Sequence, residues 1–326
     1  NKMPNSLPLF RAVFLLILFS LLGCKQQNQN YIAEDGVIDL RSWSPNTLES
    51  IPLAGQWSYT WNQLLDPAKF QQDLKPNSDG HIGVPQFWND LSHPEAPQKK
   101  LGSHGYMTLS LNILLPQNLQ SKSLSLTLRG SNSSSQLYVV QENHVQKVLQ
   151  HGQVGVSQAE SIPEWAIELN AFDLDPSKPL TIVWHISNYH HHYGGTWDAP
   201  TLGLSASLQS RLQQNKNLLS GMLGIFLLMG IYHFGIFVQR PQRDATLWFS
   251  FLCLSFAMSV ASFNYFFFIN SWLPSTARYI TQVKALSVSP VLVEIFTILY
   301  FATAIPSSWF RKFARVSVVT LSALCL

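Results

Sequence analysis

The sequence predicts an all-β sandwich of the jelly-roll type, followed by a polytopic bundle of transmembrane α-helices. Three observations support this prediction. Apolar side chains recur with period two between residues 31 and 203, long uncharged stretches fill residues 218–326, and charged residues make up only 12% of the chain. Soluble domains carry about 25% charged residues, so the shift in composition near residue 218 indicates a boundary between water and lipid.

The first segment, 1–24, is typical of an export signal. Lys2 and Arg11 precede an apolar core at 12–22, and a polar stretch follows at once, which is the order found in secretory signals. The junction Leu21-Leu22-Gly23-Cys24 resembles the lipobox of bacterial lipoproteins, in which the cysteine is lipidated. We expect export and lipidation of Cys24, with an incidental cysteine and cleavage elsewhere as the open alternative.

Residues 25–204 are expected to form the extracytoplasmic sandwich. Apolar and polar residues alternate in the segments 107–113, 124–128 and 180–186. Successive side chains of a strand point to opposite faces, so each segment offers one face to a core and one to water. The segments 136–140 and 165–169 are predicted as further strands. The chain has cysteines only at positions 24, 253 and 325, so this domain depends on its core and not on a disulfide.

Tryptophan is frequent in the predicted sandwich. Flat rings can stack on the apolar faces of sugars, but they also fill cores, and Trp184 belongs to an inward-facing set. Trp197 differs because it follows Gly194 and Gly195 in a predicted loop, and loops carry binding residues more often than strands do. We therefore predict that Trp197 contacts a ligand.

The most unusual stretch is 187–197, which holds three consecutive histidines. In an extended segment His190 and His192 would share a face and could chelate zinc or copper, yet no acidic or cysteine partner lies at a short ligand spacing. We assign Asn188, His190, His192 and Trp197 to ligand binding, and expect neither a metal nor a cofactor.

Catalysis and nucleic-acid binding find no support in the sequence. Nucleophile elbows and phosphate loops are absent, and the carboxylates have no spacing that would assign an acid-base pair. The net charge of +3 is too small to indicate a nucleic acid, and no basic run with interleaved aromatic residues occurs.

Residues 205–217 are predicted to form a juxtamembrane helix that continues into a first span at 218–238. Further spans are predicted at 247–269 and 286–305 within the transmembrane region 218–326. A fourth apolar segment opens at Val316 and provides about half of the roughly 20 residues that a span needs. We therefore expect the protein to continue beyond residue 326.

Positive charge follows alternate spans: Arg240 and Arg243 after the first, and Arg311, Lys312 and Arg315 after the third. Positively charged loops stay on the cytoplasmic side, so the sandwich is predicted to lie outside, as the export signal also predicts. The expected location is the bacterial inner membrane, with the N-terminal domain periplasmic or extracellular.

His233 and Glu294 lie within predicted spans, a position that indicates function by default. Counting from the outer ends of the spans places His233 near the inner surface and Glu294 nearer the middle of the bilayer. A direct pair between them is therefore not expected.

The order of several motifs resembles that of a bacterial family, the seven-transmembrane receptors with diverse intracellular signalling modules. The motifs are Pro52-Leu53-Ala54-Gly55-Gln56-Trp57, Leu64-Leu65-Asp66-Pro67, Ile186-Ser187-Asn188-Tyr189-His190, Gly194-Gly195-Thr196-Trp197, Leu202-Gly203 and Gly230-Ile231-Tyr232-His233. The domain before the spans also resembles the galactose-binding-like jelly roll at the front of family-two glycosidases. The likeness covers nearly the whole chain after Cys24, although only about four of the family's seven spans are present.

The resemblance implies a sensor, in which an external ligand, with carbohydrate as the candidate class, binds the sandwich and biases the helix bundle. The bundle would control a cytoplasmic diguanylate cyclase, histidine kinase, nucleotide cyclase or phosphatase, so enzymatic activity of the full-length protein stays open. The expected partners are this ligand, membrane lipid and, as an open option, a second copy in a homodimer. The alternative is a membrane-anchored glycan-binding or envelope-organising protein with no output enzyme. A transporter would need paired helical repeats, which the sequence does not show.

Overall fold

The computed structural model describes residues 31–71, 76–116, 119, 124–129, 133–142, 144–165, 167–172, 175, 178–242, 244–263 and 273–304. The predicted lipidation site Cys24 and the apolar segment that opens at Val316 lie outside these residues. The expectations for both therefore stay predictions.

Strands dominate the described residues as far as Leu204. They are β1 (Val37–Asp39), β2 (Ser50–Pro52), β3 (Gly55–Trp61), β4 (Gly80–Val84), β5 (Ser92–His93), β6 (Ala96–Lys100), β7 (Gly105–Leu114), β8 (Leu124–Arg129), β9 (Ser134–Gln141), β10 (His144–His151), β11 (Ile167–Phe172), β12 (Leu180–Asn188) and β13 (Thr201–Leu204). A 3-10 helix, Pro67–Phe70, begins after Asp66, whose side chain accepts a hydrogen bond from the Ala68 backbone N–H.

A seven-stranded sheet forms one layer of the domain. Its strand order is β10–β9–β12–β7–β3–β4, and β1 pairs with β7 as well. The pairings are antiparallel except that of β1 with β7, in which Ile38 is in register with Ile113. The long strand β7 pairs with β3 over residues 107–110 and with β1 over residues 112–114.

A four-stranded antiparallel sheet, in the order β11–β8–β13–β2, forms the second layer. The two sheets share one hydrophobic core, in which Leu109 and Leu111 of the first sheet join Leu126 and Leu202 of the second. A separate hairpin joins β5 to β6. The prediction of a largely antiparallel β-sandwich is confirmed.

The alternating pattern of β7 accounts for much of this core. Met107, Leu109, Leu111 and Ile113 are each at most 1% exposed, because side chains two residues apart share one face of a strand. Trp184 of β12 is likewise fully buried, as its inward position predicts, and its ring packs edge-on against Trp57 at 5.9 Å.

The strand β12 departs from the predicted pattern of one buried and one solvated face. Val183, His185 and Ser187 belong to its outward set and are nevertheless buried. His185 Nε2 lies 2.8 Å from the carbonyl oxygen of Leu65, and Ser187 Oγ lies 3.1 Å from Ser161 Oγ. Other parts of the chain therefore cover the second face of β12, a long-range contact that local alternation cannot reveal.

Within the described part of the chain three α-helices come after β13: α1 (Ser205–Gln239), α2 (Asp244–Phe263) and α3 (Ser275–Ala304). Each is long and apolar enough to cross a membrane, judged by length and composition. At a rise of about 1.5 Å per residue, α1 is about 50 Å long. One continuous helix therefore joins the predicted juxtamembrane segment to the first span, as the sequence predicts.

The helices α1 and α2 approach closely at Gly230. The Ser250 hydroxyl donates a hydrogen bond of 2.8 Å to the Gly230 carbonyl, and a side chain at this glycine would meet Leu254 at 2.9 Å. His233, one turn further on, packs its ring 4.6 Å from that of Phe249. Glu294 of α3 is exposed.

The described residues belong to one compact unit, and the first turns of α1 dock on the sandwich. Ser205 Oγ lies 2.7 Å from Ser125 Oγ of β8. Leu208 is buried, and the Arg211 guanidinium donates a hydrogen bond of 2.8 Å to Ser50 Oγ. The helix is therefore attached to the four-stranded sheet by polar and apolar contacts.

Candidate functional site

A group of partly exposed rings gathers where the loop after β12 meets the segments that follow β4 and precede β11. We call this group the aromatic cluster; it consists of Phe87, Trp165, His191, His192, Tyr193 and Trp197. The ring centroid of Trp197 lies 5.5 Å from Phe87, 5.7 Å from His191 and 5.9 Å from Trp165. The exposed fractions are 36% for Phe87, 48% for Tyr193 and 43% for Trp197, so the cluster presents rings to the surroundings.

Asn188, the last residue of β12, turns the chain into the histidine loop, residues 189–197. Its side chain is completely buried. The amide nitrogen donates to the carbonyl oxygens of Ser103, at 2.8 Å, and His191, at 2.7 Å. The amide oxygen accepts from the backbone N–H of His191 at 3.1 Å. Asn side chains often stabilise turns in this way, and here the side chain sets the direction of the loop.

Two glycines let the histidine loop pack against the segment that follows β4. A side chain at Gly194 would meet the ring of Trp88 at 2.2 Å, and Gly195 has a φ of +124°, which L side chains rarely adopt. Trp88 donates its backbone N–H to the Gly194 carbonyl at 2.9 Å. These glycines therefore have a structural role, since they allow the close contact that places Trp197 beside Phe87.

Asn89 and Thr196 complete the attachment of the loop. Asn89 donates its side-chain amide to the His192 carbonyl at 2.8 Å and accepts from the Gly194 N–H at 2.9 Å. Thr196 exchanges backbone and side-chain hydrogen bonds with Gln86, including one from the Thr196 N–H to the Gln86 carbonyl at 3.0 Å. The cluster thus rests on a scaffold fixed by hydrogen bonds, which is what a pre-formed binding surface requires.

The four residues assigned to ligand binding occupy different places. His192 and Trp197 lie in the aromatic cluster, whereas Asn188 lies beneath the loop with its side chain engaged in the bonds described above. His190 is half-buried next to His104, and its buried Nδ1 has no hydrogen-bond partner among the described residues.

The extended conformation on which metal chelation by His190 and His192 depended is absent. The chain bends through residues 189–193, and the rings of His191 and His192 stack at 4.8 Å. Within the described part of the chain no group of three or more His, Cys, Asp or Glu side chains is placed to hold a metal.

Burial governs the electrostatics of the loop histidines. Burial lowers the pKa of His191, and the neighbouring His192 acts in the same direction. The Nδ1 atom of His191 accepts a hydrogen bond of 3.0 Å from the Tyr193 backbone N–H, which the neutral ring can do. Burial also lowers the pKa of His190, to which His104 contributes. Both shifts favour the neutral form of the rings, which can pack against other rings.

Sequence analysis missed Phe87 and Tyr193 and placed Trp165 only at the start of a predicted strand. Phe87 is 110 residues away from Trp197 along the chain, and only the folded structure brings them together. Trp165 lies just before β11, which begins at Ile167 and not at 165 as predicted, so its ring turns to Trp197. The pair Gly194-Gly195 was the one local indication that this region holds an exposed contact.

The arrangement suits a ligand with a flat apolar face. Aromatic rings bind such faces through dispersion and the hydrophobic effect. Asp198 follows Trp197 with a side chain 52% exposed, and its Oδ2 atom lies 4.0 Å from Arg129 Nε. Charged and hydrogen-bonding groups therefore lie beside the rings.

No protein-family model matches the sequence, and no curated protein matches it. The solved structures that match include three β-glucuronidases. That of Ruminococcus gnavus has 13% identity over 48% of this chain and 29% of its own, with a TM-score of 0.34. That of Faecalibacterium prausnitzii has 14% identity over 47% and 31%, with a TM-score of 0.36. That of an uncultured Clostridium species has 13% identity over 47% and 28%, with a TM-score of 0.35.

The matching part of the chain therefore spans less than a third of these enzymes. At such identities and TM-scores the glucuronidase activity belongs to those enzymes alone. The two facing sheets establish the sandwich by themselves, and the resemblance to seven-transmembrane receptors stays a prediction from the sequence motifs.

Proposed function

We propose that this chain is the sensing part of a membrane receptor, in which the sandwich binds a small external ligand of carbohydrate type at the aromatic cluster. The helices carry the response towards the opposite side of the membrane. The observation that carries the proposal is the exposed aromatic cluster on a scaffold that is otherwise held rigidly by hydrogen bonds.

The exposure of the rings argues for a ligand. A soluble domain buries its large rings where it can, and exposed apolar patches often mark interaction sites. Trp57, Trp88 and Trp184 are fully buried, whereas Trp197 and Tyr193 are close to half exposed. The chain thus places two large rings in water although its core accommodates others.

Carbohydrate fits the chemistry of the cluster. One face of a pyranose ring carries C–H groups that can stack on Trp197, and the hydroxyl groups at its edge require hydrogen-bonding partners. His192 is exposed 5.4 Å from Tyr193, measured between ring centroids, and Asp198 lies next to Trp197. Both side chains can bond hydroxyl groups at the edge of a stacked sugar.

Two short routes connect the cluster to the helices, which favours a receptor over a passive binder. Trp197 is followed within a few residues by β13, and α1 begins at Ser205 immediately after that strand. On the other side, Glu164 precedes Trp165, and its Oε1 atom lies 4.0 Å from Arg278 Nη2 in α3. A ligand can shift the helices only if it binds one of two conformations of the protein more tightly than the other. The two connections allow a change at the aromatic cluster to reach the helices.

The remaining features of the proposal follow the sequence. We place the chain in the bacterial inner membrane with the sandwich outside. The helices would control an output module of the diguanylate cyclase, histidine kinase, nucleotide cyclase or phosphatase kind, and no cofactor is needed for the binding step.

Binding can be tested on the full chain in lipid nanodiscs by calorimetric titration with neutral, acidic and amino sugars and with cell-wall fragments. We expect one ligand class to bind. Trp197→Ala should weaken it by about tenfold, or roughly 1.4 kcal/mol, whereas Trp197→Phe keeps a ring and most of the affinity. Ile32→Ala is the matched control, because Ile32 is an exposed apolar residue outside the cluster. Absence of binding across the panel, or equal affinity in Trp197→Ala, would overturn the proposal.

A response of the helices is a separate test. Hydrogen exchange of the backbone amides of residues 205–217 is measured with and without the ligand that binds. A receptor shows changed protection there, since binding shifts the equilibrium between states of the helices. Binding with unchanged protection would instead favour a membrane-anchored glycan-binding protein.

A further inference from the structure

A cavity of about 310 Å³ lies between the four-stranded sheet and α1. Residues of β8, β11 and the segment leading into β13 form its sheet side, and residues of α1 form the other side. None of the rings of the aromatic cluster lines it. The cavity is therefore distinct from the candidate sugar site, although Asp198, the neighbour of Trp197, lies on its wall.

The helix presents one face to this cavity. Leu212, Asn215, Lys216 and Leu219 line it, and their spacing of three and four residues places them along one side of an α-helix. The residues that dock α1 on the sandwich, Ser205 to Arg211, come one to two turns earlier. The cavity is thus not the contact that attaches the helix to the sheet.

The cavity lies where the helix passes from water to lipid. Lys216 is the last charged residue of α1 before Arg240, and Leu219 already belongs to the uncharged stretch between them. That stretch has the length of a membrane span. Lipid headgroups of the leaflet on the sandwich side therefore lie at the level of Lys216.

The charges of the lining favour an anion. Arg129 and Lys216 contribute two positive charges, against one negative charge from Asp198. Arg129 Nε lies 4.0 Å from Asp198 Oδ2, and both side chains are about half exposed, so this ion pair is weak and can exchange with another anion. Arg and Lys are the usual partners of phosphate, while the two leucines offer an apolar surface beside them.

We propose that this cavity binds an anionic phospholipid of the adjoining leaflet, with the phosphate between Arg129 and Lys216 and an acyl chain along Leu219. The bound lipid bridges β8 and α1 and so fixes the helix against the sheet. The inference rests on the cavity and the helices, and it holds whether or not the aromatic cluster binds sugar.

The test uses the full chain in a polyoxyethylene detergent, which avoids sugar headgroups, and native mass spectrometry to count bound phosphatidylglycerol. Phosphatidylglycerol should bind at least about tenfold more tightly than phosphatidylcholine, since each basic residue contributes to anionic-lipid binding. The double variant Arg129→Gln/Lys216→Gln should lose about tenfold in affinity or more. The control, Arg41→Gln/Lys147→Gln, removes the same charge elsewhere on the sandwich and should bind as the wild type does.

A second variant tests the same proposal in case the double variant fails to fold. Asp198→Asn keeps an oxygen that can accept the hydrogen bond from the Ala199 N–H but removes the competing charge, so it should bind phosphatidylglycerol more tightly. Equal binding of both lipids, or no change of affinity in the two cavity variants, would overturn the proposal. Inorganic phosphate that binds as tightly as the lipid would also overturn it and would identify a site for free phosphate instead.

Discussion

Glu164 and Arg278 connect the sandwich to the beginning of α3: Glu164 Oε1 lies 4.0 Å from Arg278 Nη2. The other carboxylate oxygen of Glu164 accepts a hydrogen bond of 2.9 Å from the Gly152 N–H. The next residue, Trp165, packs against Trp197 at 5.9 Å. One short segment thus contacts the helices, the sandwich and the aromatic cluster.

The ion pair of Glu164 with Arg278 should be weak, because both side chains are partly exposed. In a double-mutant cycle with Glu164→Gln and Arg278→Gln, we expect a coupling of about 0.2–1 kcal/mol in the free energy of unfolding. It should shrink at high salt. Thermal unfolding of the four proteins at low and high ionic strength measures it, and a coupling that is independent of salt would contradict an ionic origin.

Removal of the Asn188 side chain should destabilise the sandwich strongly. Asn188→Ala leaves the carbonyl of the partly buried Ser103 without its donor and releases the turn at His191, and each such loss costs about 1 kcal/mol or more. We expect a loss of about 2–3 kcal/mol, measured by chemical denaturation.

Asn170→Ala is the matched control for that experiment. Asn170 is exposed and donates one side-chain hydrogen bond, to the Val148 carbonyl, so the change should cost no more than about 1 kcal/mol. Equal costs for the two variants would show that Asn188 does not hold the loop.

Gly194→Ala should disrupt the attachment of the histidine loop. The added methyl group would lie 2.2 Å from the ring of Trp88, which is fully buried and cannot easily move. Overpacking of this kind costs about 1–3 kcal/mol of stability. A displaced loop should also lower the affinity of the aromatic cluster for any ligand that it binds. Gly221→Ala is the control, because that glycine has open space around it, and its unfolding midpoint should not fall.

Local sequence patterns predicted the parts of the fold that depend on local geometry. The alternation in β7 and β8 indicates which side chains face the core, and the uncharged stretch after Asn217 indicates a spanning helix. The cover over His185 and the parallel pairing of Ile38 with Ile113 were not predictable in this way. Both depend on contacts between residues far apart in the chain, which periodicity does not encode.

The candidate site was only partly predictable, because several of its residues meet through contacts between distant parts of the chain. Trp197 was identifiable because two glycines precede it, and those glycines do create the close backbone contact that presents its ring. Asn188 was assigned to ligand binding as part of the loop, but it is the last residue of β12, and the sequence could not show that its amide is used up by backbone partners. Phe87 and Trp165 reach the site through tertiary contacts alone.

Stability should fall on acidification because of His151. This residue of β10 is completely buried, and burial lowers its pKa from 6.5 to about 4. As the pH falls below 6.5 the unfolded chain binds a proton that the folded chain does not bind until about pH 4. Proton binding by the unfolded chain therefore lowers the free energy of unfolding by up to about 3 kcal/mol between these two pH values.

His151→Leu removes this proton-binding site and should flatten the dependence of the unfolding free energy on pH across the same window. The wild type should lose stability from neutral pH towards pH 4, and the variant should lose less. His144→Leu, at an exposed position of the same strand, is the control and should follow the wild-type curve. Parallel curves for the wild type and His151→Leu would contradict the assignment, because the acid sensitivity would then belong to other groups.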